Sequence, residues 1–448
     1  VEPQCGTTLT LGGSGDTVTL GTGASQSGFG RTGTVDWDTS NIKTSTFTAV
    51  NGTGYFVNTS GGAVTCNLPA GSAGAIFAVA DYTRTFSTHN LTITPNGSEK
   101  IGGLAGSVTM STNGQAGTFV YVDANEGWIN VEETSNSETP PTFICASVSG
   151  TCNAITTAPD CANFKLATFV NPGTFTVSSI SGTPAYNEVS YIVVGGGGAG
   201  GGAVSNTTGG SGGGGAGGFR ENKSGIDTYT ASPLNGATPI TVTATPYPID
   251  VGGGGAGIQG AVGNSGNTST FSTINSAGGG GGGTRACTGG AGNGLNGGSG
   301  GGGGYGSGSS GSGGNGNTPS TSPAQGKDGA AYSNFESGSR PGGGGGAGAG
   351  GYPANANDKG GNGGCGVSTD ISGSSVLRAG GGAGGATTSG TGGPGGGADG
   401  NPGPAANAGT ANTGGGGGGT SSTPPAPGPS GTSGGGGSGI VIIRYKFQ

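Results

Sequence analysis

In 448 residues the chain carries 117 glycines, about 26% where ordinary usage is about 7%, so no average globular composition describes it. Charged residues make up 8% and the formal net charge is −7. Lys and Arg are nowhere clustered, which argues against partners that need concentrated positive charge, nucleic acid and anionic membrane surfaces among them. No run approaches the roughly 18 to 20 apolar residues that would insert across a bilayer, and the first residues, VEPQCGTTLT, lack the basic and apolar segments of a secretion signal.

The two halves are different materials. Residues 1–194 hold 25 of the glycines and the other 92 follow, so most core-forming material lies in the first half. Residues 1–33 contain TLTLGGSG and then TVTLGTGA. These read as two short strands with tight turns, too little to bury a core alone, and are predicted to act as an oligomer or docking segment. From 34 to 133 the alternation becomes regular, with GYFVNTS, GAVTCNLP, AIFAVADY, LTITP, TFVYVD and GWINVEE separated by Gly, Asn, Pro and Ser. An antiparallel β domain is expected there, either sandwich or barrel-like, with Phe47, Tyr55, Phe77, Phe119, Tyr121 and Trp128 as its core aromatics.

Residues 134–163 read as a Ser, Thr and Pro-rich connector holding Cys145, Cys152 and Cys161. Seven cysteines without a CxxC pair do not have zinc-site spacing. This local cluster can close one disulfide outside a reducing cell, or stay as free thiols. Residues 164–448 form the glycine-rich domain, bracketed by apolar strands. Because Ile192 to Val194 and Ile440 to Ile443 are both continuous apolar runs flanking glycine, they are predicted to pair and to close the region into a module.

What the glycine builds is argued by elimination. Collagen needs glycine at every third position, whereas GGGGAGGG, SGGGGAGG and TGGGGGGT are irregularly spaced. A phosphate loop needs GK[ST], and the one GK, Gly326-Lys327, is followed by Asp328. A disordered linker would lack apolar anchors, yet Phe219, Tyr229, Phe271, Tyr305, Tyr332 and Tyr352 are spaced between the runs. Left-handed polyglycine II helices rise about 3.1 Å per residue without internal hydrogen bonds. Packed side by side they can bond sideways, and the missing Cβ lets the backbones approach. That arrangement explains the anchors best, and an irregular glycine-rich β or loop domain is the standing alternative. Either way the rim between runs carries the variable residues. Candidate receptor-binding residues are Phe219, Arg220, Tyr229, Tyr305, Tyr332, Phe335, Arg340 and Tyr352, in loops 219–229, 305–317, 332–340 and 352–359. Each aromatic among them has a plainer reading as a packing anchor at the edge of the glycine core.

The stretch AVNGTGYFVNTSGGAVTCNLPAGSAGAIFAVADY, with TPNGSEKIGG and TFVYVDANEGWINVEE after it, resembles a β module of tail-fibre and virion structural proteins of marine tailed bacteriophages. The segments PGTFTV, EVSYIVVGGGGAGGG and GGSGIVIIRY resemble the glycine-rich module that closes many of them. The resemblance implies an extracellular virion protein, usually homotrimeric. Its partners would be other tail or head proteins and a host cell-surface receptor, a polysaccharide or an outer-membrane protein, met at the glycine-rich end. A head fibre, decoration protein or cell-surface filament subunit with a structural role only is the alternative.

Enzyme chemistry has few candidates, and neither a cofactor nor a metal is expected. His89, the one histidine, sits in a Thr-His-Asn turn, so every triad would have to use it. Asp81, Asp123, Glu126, Glu132 and Glu133 offer carboxylate pairs for glycoside cleavage, but read as strand-end and turn residues. DANEG at 123–127 resembles half of a calcium loop placed where a hairpin turn is expected.

Overall fold

Period-two alternation puts apolar side chains on one face of each strand, and in the first unit two such faces meet. The computed structural model describes residues 34–134, 143–204, 209–285, 292–306, 309–333, 338–403, 405–422 and 430–448. The predicted repeat at 1–33, Cys5, Cys287 and Phe335 lie outside the described residues. The fold is all-β, and the chain divides into two compact units, Val1–Pro140 and Pro141–Gln448.

The first unit consists of β1 (Asp36–Lys43), β2 (Phe47–Thr48), β3 (Thr53–Val57), β4 (Val64–Asn67), β5 (Ile76–Asp81), β6 (Leu91–Thr94), β7 (Lys100–Ile101), β8 (Leu104–Ala105), β9 (Val108–Met110), β10 (Ala116–Tyr121) and β11 (Trp128–Thr134). One sheet runs β1-β3-β5-β10-β11-β7-β8 and the other β2-β4-β6-β9. The two-layer expectation therefore holds and no barrel closes among the described residues. The strand directions, however, are mixed. β1, β3 and β5 pair in parallel, with Asp36 opposite Thr53 and Thr53 opposite Phe77, and β2, β4 and β6 do the same. Each of three windings thus gives one strand to each sheet before β9, β10 and β11 add antiparallel strands. Alternation has the same period in both directions of pairing, so it cannot reveal this.

All six predicted aromatics belong to the core between the sheets, Phe47 at its margin. Phe77 stacks on Phe119 at 5.0 Å and meets Trp128 edge-on at 5.3 Å. Burial pushes the Cys66 thiol up to about 12, so this cysteine is an unreactive packing residue. The described cysteines, Cys66, Cys145, Cys152, Cys161 and Cys365, are all free. Asp81, at the end of β5, accepts the N–H groups of Thr85, Phe86 and Gly114 at 3.1 to 3.2 Å. Asp123 accepts those of Asn125 and Glu126 in the β10–β11 hairpin turn. Both carboxylates thus terminate strands and shape turns.

The second unit begins with strands. Cys145–Val148 and Ala154–Ala158, in the stretch read as a connector, belong to its sheets. One sheet orders Ala154–Ala158, Cys161–Phe169, Ile440–Lys446, Glu188–Val194 and Phe219–Asn222; the other orders Cys145–Val148, Gly173–Ser179, Pro246–Asp250, Ser269–Phe271 and Ile274–Ser276. The predicted closure is present: Ile192 pairs with Ile442, Val193 with Val441 and Val194 with Ile440. Ile440–Lys446 lies between two partners and is buried on both faces, which is why it reads as an unbroken apolar run. Val441, Ile443 and Tyr445 enter the core between the sheets, while Ile440 and Ile442 enter a second core on the opposite face.

Beyond the strands the glycine runs form a lattice. Run 195–202 makes no bond within itself; each N–H donates sideways at 2.8 to 3.0 Å with a three-residue repeat. Gly195, Gly198 and Gly201 donate to Gly218, Gly215 and Gly212; Gly196, Ala199 and Gly202 to Asn267, Asn264 and Ala261; Gly197 and Gly200 to Gly437 and Gly434. The descending partner numbers make these neighbours antiparallel. Its carbonyls accept from runs on the remaining sides: Gly196 and Ala199 from Gly279 and Gly282, Gly198 from Gly417, Gly197 from Gly255. A three-residue period with bonds radiating all round is hexagonally packed polyglycine II, the ordered arrangement expected from the anchors.

Close approach at this spacing requires glycine. A Cβ on Gly197 would sit inside the carbonyl oxygen of Gly415, whereas one on Gly253, also in a run, meets nothing closer than the Asn267 side chain at 3.9 Å. Gly197→Ala is therefore expected to destabilise the protein by about 1 to 3 kcal/mol, the usual cost of overpacking. Gly253→Ala is expected to leave stability unchanged or raise it by up to about 1 kcal/mol through unfolded-state entropy. Denaturant midpoints of the two full-length variants check this, and an equal loss in both would contradict a lattice held by backbone contact.

Candidate functional site

Runs that alternate in direction give the lattice two ends, and their chemistry differs. At the strand end the Phe219 N–H bonds the Gln325 carbonyl, Gly439 bonds Gly252, and Ala347 bonds Ala379. At the other end Ala203 bridges both Arg285 and Gly431, Gly209 and Gly210 pair with Ser422 and Ser421, and Gln259 bridges Thr432. The chain segments linking runs at this second end vary in length and composition, as loops on a rigid body do.

The strand end buries charge. Arg444 is fully buried; its Nε donates to Asp227 at 3.1 Å, and Nη1 and Nη2 grip Asp160 at 2.7 and 3.0 Å. Burial works against the Arg444 guanidinium, but its bonds to Asp160 and Asp227 more than offset that and hold it above the ordinary range. Glu221, also buried, accepts from Tyr229 Oη at 3.1 Å, the Ser232 N–H at 2.8 Å and Thr369 Oγ1 at 2.6 Å. Arg220 donates from Nη1 to the Pro323 carbonyl at 2.8 Å and from Nη2 to that of Ser322 at 3.2 Å. These bonds tie the ends of residues 160–444 together through side chains that polar composition alone would assign to the surface.

The predicted receptor residues therefore divide. Phe219, Arg220 and Tyr229 are buried at the strand end, where they fill core and satisfy carbonyls. Burial, reinforced by Glu221, raises the Tyr229 phenol well above its usual value. Tyr305, Tyr332, Arg340 and Tyr352 lie at the loop end. Tyr305 and Tyr332 are half-buried with ring centroids 5.2 Å apart, Arg340 is buried, and Tyr352 is exposed. The structure adds Arg285, whose guanidinium lies 5.2 Å from the Tyr305 ring centroid. The sequence signal for it was its position one residue beyond the run 278–283, after Thr284, where a lattice segment must end. Burial, with Tyr305 beside it, holds the Tyr332 phenol above its usual value against the opposing pull of the Arg340 backbone and the charges of Arg285 and Arg340. The Tyr332 hydroxyl donates to the Gly338 carbonyl at 3.1 Å.

Among the described residues no group of three His, Cys, Asp or Glu side chains is placed to hold a metal, and no helix is long and apolar enough to cross a membrane. The family of glycine-rich domains matches residues 170–446, and no curated protein matches the chain.

The strand end supplies a stability test. Removing Arg444 leaves Asp227 buried and unpaired, so Arg444→Leu is expected to destabilise by about 3 to 5 kcal/mol, whereas Asp160→Asn, at a part-exposed partner, costs less. Asp160 is held below the usual carboxylate range, first by its hydrogen bond to Arg444. Its contribution is present above about pH 4 and lost as the pH falls through the folded value. Urea midpoints between pH 6 and pH 3 should therefore drop less steeply in Asp160→Asn than in the wild type.

Proposed function

We propose, for a chain that belongs to the glycine-rich domain family, a non-enzymatic adhesin whose loop end contacts a molecule on another cell's surface. The carrying observation is the division of the lattice into a strand end locked by buried charge and a loop end presenting Tyr305, Tyr332, Tyr352 and Arg285. A binding surface needs residues held still at low entropy cost, and tyrosines on a rigid frame meet that need. The resemblance to tail-fibre proteins supports the finer reading of a virion protein, extracellular and homotrimeric, with the first unit serving as shaft or oligomer contact.

A structural role alone, as a decoration protein or filament subunit, needs no such differentiated end. Labelled full-length protein is expected to bind bacteria of the host range saturably, with competition by unlabelled protein. Tyr352→Ala combined with Tyr305→Ala should weaken that binding at least tenfold without moving the unfolding midpoint. Absence of saturable binding on every strain tested, with assembly onto particles intact, would favour the structural role. Chemical crosslinking is expected to give a trimer, and open-ended polymers would point to the filament.

A further inference from the structure

At the loop end the Arg285 side chain is seated rather than waving. Its guanidinium lies over the backbone at Gly209, where φ is +148° and an added Cβ would collide with it, and on its other side it faces the Tyr305 ring. No carboxylate among the described residues pairs with it, and its Nε is buried without a hydrogen-bond partner. A fixed guanidinium keeps its planar fork of donors at little entropic cost, and that fork fits a carboxylate or phosphate. Beside it lie the half-buried Tyr305 and Tyr332 rings, 5.2 Å apart and inclined at 49°.

We infer that Arg285, Tyr305 and Tyr332 form a subsite for an anionic sugar residue, the guanidinium taking its acidic group and the tyrosine faces its ring. This rests on the loop-end reading of function and names the chemistry that end would select. The chain as a whole is acidic, with a net charge of −7, so non-specific attraction to anions does not explain binding here. An ionic contact at a guanidinium of a part-buried side chain also weakens with salt.

The probes are tetragalacturonate, glucose 6-phosphate, neutral maltotetraose and inorganic phosphate, titrated calorimetrically against the full-length protein. At least one anionic sugar is expected to bind, with affinity falling as NaCl rises from 50 to 500 mM, and maltotetraose is expected to bind at least tenfold more weakly. The uronate and sugar-phosphate arms separate the two acidic groups, and inorganic phosphate separates an anion from a sugar. Arg285→Met should lower the affinity tenfold or more and Arg285→Lys should recover part of it, both with an unchanged unfolding midpoint. Failure of both anionic sugars, equal binding of the neutral one, inorganic phosphate matching glucose 6-phosphate, or an unaffected Arg285→Met would overturn the inference. Wild-type protein that still binds cells in those cases preserves the adhesin reading, while loss of cell binding in the wild type removes that reading itself.

Discussion

Glycine runs in this protein do what side chains do elsewhere: they hold a body together. Each run offers an N–H every residue, and a three-residue turn sends successive donors towards three neighbours while the carbonyls take bonds from others. The arrangement works because nothing projects from the backbone. A Cβ at Gly197, Gly281 or Gly344 would lie inside a neighbouring carbonyl, so the same absence that makes glycine entropically costly permits the spacing at which neighbouring runs bond to one another. Cohesion of this kind is short-range and directional, and it depends far less on apolar burial than an ordinary core does.

That difference shapes the rest of the unit. The lattice has no side chains with which to fix its ends, so the strands and buried charges do that work. Two apolar cores flank the central sheet, and Arg444, Asp227, Asp160 and Glu221 join residues far apart in the chain. Uncompensated, any of these charges would be expensive; engaged as they are, they make the assembled register specific. The opposite end carries Arg285 and the tyrosines instead.

Much of this was legible in the sequence. The aromatics of the first unit lie where alternation places them, and the strands 188–194 and 440–446 pair because their apolar runs cannot be exposed. Parallel winding in β1 to β6 was not legible, since direction leaves no trace in a period of two. Phe219, Arg220 and Tyr229 looked like loop residues because FRENKSGIDTY is polar; their burial depends on the carbonyls of Ser322 and Pro323 and on Thr369, partners more than 90 residues away in sequence. Arg285 went unnoticed for a related reason: which end of the lattice a segment occupies follows from the parity of the runs before it, a property no local window contains.

The position of Ile440–Lys446 has a consequence for synthesis. It is inserted between Cys161–Phe169 and Glu188–Val194, with Phe169 and Val193 both opposite Val441, across some 250 intervening residues. On a ribosome its two partners emerge long before it and must wait with inward-facing edges unpaired, while the glycine runs, each of which needs neighbours made later, wait with them. Such a unit commits late and nearly all at once, so its most vulnerable moment is the interval before the last strand arrives, when a nascent chain is open to misassembly with its own copies.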